Sequence, residues 1–183
     1  MSKAVSCGQA LNAFVLLVNR TSPFNPAGFI GQRGWTIWRG LATSDGLTGD
    51  EQQDYRSLAL TEIDWNRVLF PTCLKGDETS ITGEEKLKHL QASGEILLDA
   101  KVGEELLLDY KTNGENSVLE KLRQQHNVTY LDFFGTILRN PRGNRCVLYL
   151  CFSGGQWRWF YGWLGDVWFV FLGSAALASP PAV

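Results

Sequence analysis

Apolar and aromatic residues that favour β-strands are concentrated in the C-terminal third of the chain, where successive positions alternate between two faces with a period of two. Residues 146–152 alternate between two faces, residues 153–155 (Ser-Gly-Gly) supply a turn, and residues 157–161 resume the alternation. An earlier apolar segment, residues 128–139, also has strand composition, with Gly135 as the position of a bend. The pattern predicts an antiparallel meander of two consecutive hairpins over residues 128–163.

The return strand of the second hairpin has two different faces. Three large rings alternate and share one face: Trp157, Trp159 and Tyr161. The positions between them share the other face: Arg158, Phe160 and Gly162. Rings at alternate positions normally pack into a core, so the second face is predicted to be free to vary. Tyr161 stays ambiguous, because its phenol could reach solvent.

Helical signals precede the meander. Thr82 is a predicted N-cap with acids in the following turn, and Gly94 ends that helix. Asp99 caps a helix predicted over residues 100–110, and another is predicted over residues 117–125. In the last of these helices, Glu120, Lys121 and Arg123 are expected to face solvent. Helices followed by an antiparallel meander predict an α+β fold.

The N-terminal half is less regular. Residues 11–18 predict a strand, and two prolines and a glycine within residues 21–28 end it. Residues 29–40 predict a short strand or a tight core segment. The apolar spacing of residues 58–70 fits helix or strand equally well, and Pro71 ends that segment.

The chain has 183 residues, of which 44% are hydrophobic, and this predicts a single domain over residues 1–183. Its net charge is −2 and no basic stripe occurs, which argues against a nucleic-acid partner and favours a protein or small-molecule ligand. The longest apolar runs fall far short of the roughly 20 residues of a membrane span. Asn12 interrupts the N-terminal apolar run, so no signal peptide is predicted and the cytoplasm is the default location.

The sequence offers little material for catalysis or metal binding. The cysteines lie at positions 7, 73, 146 and 151, and no close pair resembles a zinc motif. Cys146 and Cys151 differ by an odd number, so a straight strand points them to opposite faces and free thiols are expected. Phosphate-loop, nucleophile-elbow and zinc-protease motifs do not occur. Cys73 with His89 or His126 leaves a small hydrolase as an alternative.

An acidic loop at residues 44–54 is the one candidate for calcium. It lacks the order of ligands and the closing glutamate of a calcium loop, so a solvated loop or capped helix turn is preferred. We therefore predict no metal and no cofactor.

The composition of residues 151–173 is unusual. Apart from Gln156 and the tryptophans, every residue belongs to the set encoded by codons that end in a pyrimidine. Randomising the two adenines of an asparagine codon produces this set. The alternative explanation is that lysine and glutamate are disfavoured in strands in any case.

The same region resembles the variable region of proteins diversified by diversity-generating retroelements of small-genome archaea and bacteria. The resemblance rests on residues 155–164, Trp168 and residues 174–179, together with upstream residues 34–40, 56–64 and 83–88. Members of this family have a C-type lectin fold and bind ligands through a diversified surface that a tryptophan framework supports. The Glu-Pro-Asn and Trp-Asn-Asp motifs of calcium-binding lectins are missing, so binding is expected to be calcium-independent.

The resemblance implies a constant scaffold over residues 1–150 and a variable region over residues 151–173 of a non-enzymatic, monomeric binding protein. The expected ligand-binding positions are Phe152, Ser153, Arg158, Phe160, Tyr161, Gly162, Asp166, Val167, Phe169, Val170, Phe171 and Leu172. The expected framework is Trp157, Trp159, Trp163 and Trp168. The rival interpretation is a structural or oligomerising domain in which residues 168–172 form a buried interface.

Overall fold

Helices and strands intersperse along residues 14–169 and 173–179, the part of the chain that the computed structural model describes. The helices are α1 (Pro26–Ile30), α2 (Tyr55–Leu58), α3 (Gly83–Ser93), α4 (Ala100–Asn113) and α5 (Val118–His126). The strands before α4 are β1 (Val15–Leu17), β2 (Thr36–Ile37), β3 (Glu62–Asp64), β4 (Val68–Leu69), β5 (Ser80–Thr82) and β6 (Ile96–Leu97). The strands after α5 are β7 (Tyr130–Asp132), β8 (Leu138–Arg139), β9 (Arg145–Ser153), β10 (Gln156–Trp163), β11 (Val167–Phe169) and β12 (Ala176–Leu177). The fold is mixed α+β with antiparallel sheets, which confirms the predicted class.

The largest sheet has the order β10-β9-β8-β2, and β7 also pairs with β9. The predicted hairpins are confirmed, since β8, β9 and β10 pair antiparallel in sequence. The single strand predicted over residues 128–139 is wrong, because β7 and β8 are separated by residues 133–137. Gly135 donates its backbone N–H to the carbonyl of Leu98 at 3.0 Å, and a Cβ there would lie 2.2 Å from the carbonyl oxygen of Leu97. The predicted bend is therefore a break at which the chain crosses another segment.

Both faces of this sheet are covered by apolar side chains. On one face, β9 packs against α4 and α5, and we call this the rear core, defined by Leu106, Leu122, Leu148 and Leu150. On the opposite face lies the front core, defined by Leu90, Val147, Leu164 and Trp168. Each of these residues is at least 97% buried. A strand that contributes to both cores is fixed in register, because a slip of one residue would exchange its faces.

The capped helices form as predicted. Thr82 and Glu85 make a capping box at the start of α3, Asp99 accepts a hydrogen bond from the N–H of Lys101, and Ser117 caps α5. The expectation that Glu120 faces solvent is wrong, since this residue is 5% exposed. Lys86 of α3 is also buried, at 1% exposed.

The N-terminal half differs from expectation at α1, which lies in a stretch expected to be irregular. Asn25 caps α1 and Pro26 occupies its first turn, where a proline loses no hydrogen bond. The undecided segment, residues 58–70, contains the end of α2, then β3, a turn of 3₁₀ helix and β4. The strand predicted over residues 11–18 is observed as β1, and residues 11–13 lie outside the described residues.

The C-terminal segment returns to the earlier parts of the chain. Strand β11 pairs with β5, and β12 lies between β4 and β6. Within residues 14–169 and 173–179, no helix has the length and apolar character needed to cross a membrane.

Candidate functional site

The front face of β9 and β10 carries the positions that the sequence assigned to a variable surface. Antiparallel pairing sets Arg158 opposite Cys151, Phe160 opposite Tyr149 and Gly162 opposite Val147. Opposed residues share a face, so these side chains lie on the side of the front core. Because β10 pairs only with β9 among the described strands, its side chains lie at the edge of the sheet. Arg158 is exposed, and Phe160 keeps 38% of its surface exposed.

Three rings form a ladder across this face, which we call the ring ladder (Tyr130, Tyr149 and Phe160). The rings of Tyr130 and Tyr149 are 4.6 Å apart at an interplanar angle of 28°. Those of Tyr149 and Phe160 are 5.5 Å apart at 24°. Neighbouring strands β7, β9 and β10 each supply one ring, and such contacts add about 0.5–1.5 kcal/mol per pair beyond burial.

Trp168 closes the front face beside the ladder. Its ring is 97% buried, and its Nε1–H donates to the carbonyl of Trp163 at 3.1 Å. Two glycines leave room for it: a Cβ at Gly83 would lie 2.7 Å from Nε1, and one at Gly162 would lie 2.6 Å from Cζ2. The expectation that Gly162 belongs to a freely variable face therefore needs correction, since any side chain there must displace Trp168.

A buried ion pair lies under Trp168. Lys86 Nζ is 2.8 Å from an oxygen of Asp132, and both side chains are at least 99% buried. The ammonium also lies 5.4 Å from the ring centroids of Phe134 and Trp168. Burial raises the pKa of Asp132, and the attraction of Lys86 opposes that shift. Sequence reasoning missed this pair, although Lys86 lies three residues after Gly83 and four before Leu90, on the inward stripe of α3.

Between the ring ladder and Trp168 the surface holds a pocket of about 380 Å³, which we call the front pocket. The described residues that line it are Tyr130, Tyr149, Cys151, Tyr161, Gly162, Asp166, Val167 and Trp168. Asp166 and Val167 are exposed and form part of its rim. A pocket of this size is within the usual range for small-molecule sites.

The predicted ligand-binding residues are divided between the two faces. Those that are exposed are Ser153, Arg158, Phe160, Tyr161, Asp166, Val167 and Phe169. Phe152 lies on the rear side, where its ring contacts Trp157 at 5.8 Å. Tyr161 also turns its ring to the rear, 4.5 Å from Trp35, although as a residue of the edge strand it borders the front pocket. Val170, Phe171 and Leu172 lie outside the described residues.

The tryptophan framework supports both cores. Trp157 packs in the rear core and is 3% exposed, as is Trp168 on the front. Trp159 and Trp163 are only partly buried. The ring of Trp159 lies 5.4 Å from that of Phe29, so α1 helps to cover the edge strand.

Three carboxylates of the acidic loop, those of Asp45, Glu51 and Asp54, have partners within the protein. The side chain of Asp45 accepts the backbone N–H of Leu47, and Glu51 pairs with Arg39. Asp54 accepts hydrogen bonds from Arg56 and from the N–H of Leu97. Burial raises the pKa of Asp54, but these hydrogen bonds outweigh it and hold the pKa below its ordinary value of 3.8. Across the described ranges, no three potential ligand side chains form a group that could hold a metal ion.

The cysteines within the described residues, Cys73, Cys146 and Cys151, are free thiols, and Cys7 lies outside those residues. The material for a hydrolase is arranged unfavourably. Burial raises the pKa of the Cys73 thiol, which keeps it protonated and weakly nucleophilic. His89 places Nδ1 3.3 Å from the backbone carbonyl of Cys73, while His126 packs on Phe14.

Comparisons with protein-family models, curated proteins and solved structures found no match to this chain.

Proposed function

We propose that the chain is a non-enzymatic ligand-binding protein whose C-terminal surface is diversified by a retroelement. Its fold would be of the C-type lectin kind. The antiparallel sheet backed by α4 and α5, and the C-terminal strand that returns to pair with β4 and β6, support that assignment.

One observation carries the proposal, namely that burial alternates along the tryptophan-rich region. Trp157 is 3% exposed, whereas Phe160 on the other face of the same strand is 38% exposed. Around Trp168, also 3% exposed, Val167 and Phe169 are 55% and 52% exposed. Substitutions at exposed positions usually change stability by no more than about 0.5 kcal/mol, so such positions tolerate randomisation while the tryptophans hold the scaffold.

The ligand surface that we propose is narrower than the sequence alone suggested. It contains the exposed residues at the turn of the β9–β10 hairpin, on the front of β10 and around β11, which are Ser153, Arg158, Phe160, Asp166, Val167 and Phe169. Phe152 and Tyr161 are left out because their rings lie on the rear side, and Gly162 is left out because Trp168 covers it.

The rival interpretation, an oligomerising domain, would use residues 168–172 as its interface. Trp168 is already buried within its own chain, so its ring is not available to a partner. Exposed apolar side chains at Val167 and Phe169 suit a binding surface that varies between relatives of one scaffold.

The genomic neighbourhood tests the proposal directly. We expect a reverse transcriptase gene near the coding sequence and a near-identical template repeat of the segment for residues 151–173. The repeat should carry adenines at the codons of the exposed positions and unchanged codons for the tryptophans. Absence of both the reverse transcriptase gene and the template repeat would contradict the proposal.

A protein experiment tests whether the surface and the scaffold are separable. Replacing Arg158, Asp166 and Val167 together with serine should leave the urea midpoint close to that of the parent, because all three are exposed. Trp157→Ala serves as the matched control and should lower the midpoint strongly. Failure of the triple variant to fold would place these side chains in the core.

A further inference from the structure

The buried pair of Lys86 and Asp132 joins two segments that are distant in the chain. Lys86 lies on α3 and Asp132 on β7, 46 residues away. Nζ of the lysine is 2.8 Å from Oδ2 of the aspartate, and the two side chains are 1% and 0% exposed. A contact of this length leaves the nitrogen only a small movement from the separation of about 3–3.5 Å at which reacting atoms attack. The pair therefore holds an amine directly against a carboxyl carbon.

Aromatic rings separate this pair from water. The ammonium lies 5.4 Å from the ring centroids of Phe134 and Trp168, and both residues are buried. Burial raises the pKa of Asp132, while Lys86 and the hydroxyl of Ser174 oppose the rise. Taking two ions out of water is costly even when they pair. Transfer of one proton from Nζ to Oδ2 removes both charges and leaves a neutral amine, which is a nucleophile, beside a carboxylic acid.

The second carboxyl oxygen of Asp132, Oδ1, takes no part in the ion pair. It is buried and accepts no hydrogen bond from the residues that the structure describes. Ser174 pairs with Asp132 in a parallel β-bridge, and its buried hydroxyl also has no hydrogen-bond partner within those residues. A hydroxyl rotates to suit a new acceptor. Ser174 is thus placed to donate to Oδ1 when negative charge develops on that oxygen.

We propose that Lys86 and Asp132 condense to form an intramolecular isopeptide bond beneath Trp168. The lone pair of Nζ forms the new bond to Cγ, and the bond between Cγ and Oδ2 breaks. Oδ2 leaves as water, with the proton that it received from the ammonium and a second proton from the attacking nitrogen. Two buried ions become one neutral amide, and the reaction consumes no oxidant, reductant or co-reactant. The inference goes beyond ligand binding and does not depend on it.

A second lysine provides an internal negative control. Nζ of Lys101 is 2.7 Å from Glu104, whose side chain is 31% exposed. Burial lowers the pKa of Lys101, but hydrogen bonds to Glu104 and Glu105 outweigh it and raise the pKa above its ordinary value of 10.5. The amine of Lys101 therefore stays protonated and is not a nucleophile, although its distance to a carboxylate is similar.

Mass spectrometry of the intact, purified chain tests the proposal. We expect a mass lower than that of the sequence by one water molecule. Trypsin should then release residues 76–88 and 124–139 as one species, joined through Lys86 and Asp132 and not cleaved after Lys86. Cleavage after Lys101 should proceed normally. A mass equal to that of the sequence would overturn the inference.

Water can also be lost without this bond, because Asp45 precedes Gly46 and such a pair can close to a succinimide. The joined peptides distinguish the two reactions, and a water loss with the two peptides separate would exclude the isopeptide. Lys86→Met with Asp132→Leu lacks both reacting groups and should keep the mass of its own sequence.

Lys86→Arg separates charge from chemistry, since a guanidinium is always protonated and is not a nucleophile. This variant should also keep its full mass, and thermal denaturation checks that each variant is folded. A water loss of the same size in the folded double variant would show that it arises elsewhere in the chain.

Discussion

Gly162 gives the sharpest test of how the front face is built. In Gly162→Ala the added methyl group would lie 2.6 Å from Cζ2 of Trp168, well inside van der Waals contact. The ring cannot move away freely, because Gly83 on its other side would bring a Cβ within 2.7 Å of Nε1. Overpacking of this kind costs about 1–3 kcal/mol.

Gly165→Ala is the matched control, because a Cβ at Gly165 meets no atom within 4 Å. Both substitutions restrict the unfolded chain to a similar degree, worth about 0.4–1 kcal/mol, so their difference isolates the clash. In a chain of this size, 1 kcal/mol shifts the melting temperature by about 2–4 °C. We therefore expect Gly162→Ala to melt roughly 2 to 12 °C below Gly165→Ala by calorimetry.

A double-mutant cycle identifies Trp168 as the cause. In a Trp168→Phe background the benzo ring is absent, so Gly162→Ala should cost little more than Gly165→Ala. A coupling of about 0.5–3 kcal/mol is expected for residues in contact. Equal melting of the two alanine variants in the parent background would refute the packing described for Trp168. If the clash is confirmed, each side chain installed at position 162 must reposition Trp168 and so reshape the front pocket.

The remaining predictions concern the two cores and one carboxylate. Trp157→Ala should destabilise the protein by about 3–5 kcal/mol in urea denaturation. Trp159→Ala should destabilise it by clearly less, because of these two rings only that of Trp157 is fully buried. Equal losses of stability would contradict the burial pattern. Lys86→Met should lower the free energy of unfolding by about 3–5 kcal/mol, because it leaves the buried carboxylate of Asp132 without its partner. The double variant Lys86→Met with Asp132→Leu should recover much of that loss. A stable single variant would show that the pair is not buried. Since the folded-state pKa of Asp54 is lowered, its contribution to stability is present above pH 3.8 and is lost as the pH falls through the lower folded value. Asp54→Asn should therefore show a shallower loss of stability on acidification, measured by urea midpoints between pH 2 and 6, and an unchanged slope would exclude Asp54 as its source.

The elements that sequence reasoning predicted well are those specified by local signals. The caps at Thr82, Asp99 and Ser117 each bond a backbone N–H within three residues, so their helices are readable without the fold. The hairpin of β9 and β10 is equally local, because a Gly-Gly turn joins two strands of strict alternation.

The elements that sequence reasoning missed depend on partners that are distant in the chain. Strands β4, β6 and β12 have two residues each, and only their mutual pairing makes them strands. The sequence pattern predicts that Pro26 helps to end regular structure, whereas this residue begins α1. Alternation correctly placed Trp157 in the core, but it treats every position on the opposite face alike and so could not detect that Trp168 covers Gly162. The front pocket combines β7, β9, β10, the β10–β11 turn and β11, and no contiguous pattern specifies it.

The position of β12 also determines when the protein can fold during its synthesis. This strand lies between β4 and β6, and the buried residues Ala175 and Ala176 join the rear and front cores. The three-stranded sheet of β4, β12 and β6 can therefore form only after residue 177 has emerged from the ribosome. Until then β4 and β6 lack the strand that joins them, and chaperones would encounter the nascent chain with that sheet incomplete. Residues 151–169, with the exposed apolar side chains of Phe160, Val167 and Phe169, are translated before this closing strand, so they must remain unaggregated until that late step completes the scaffold.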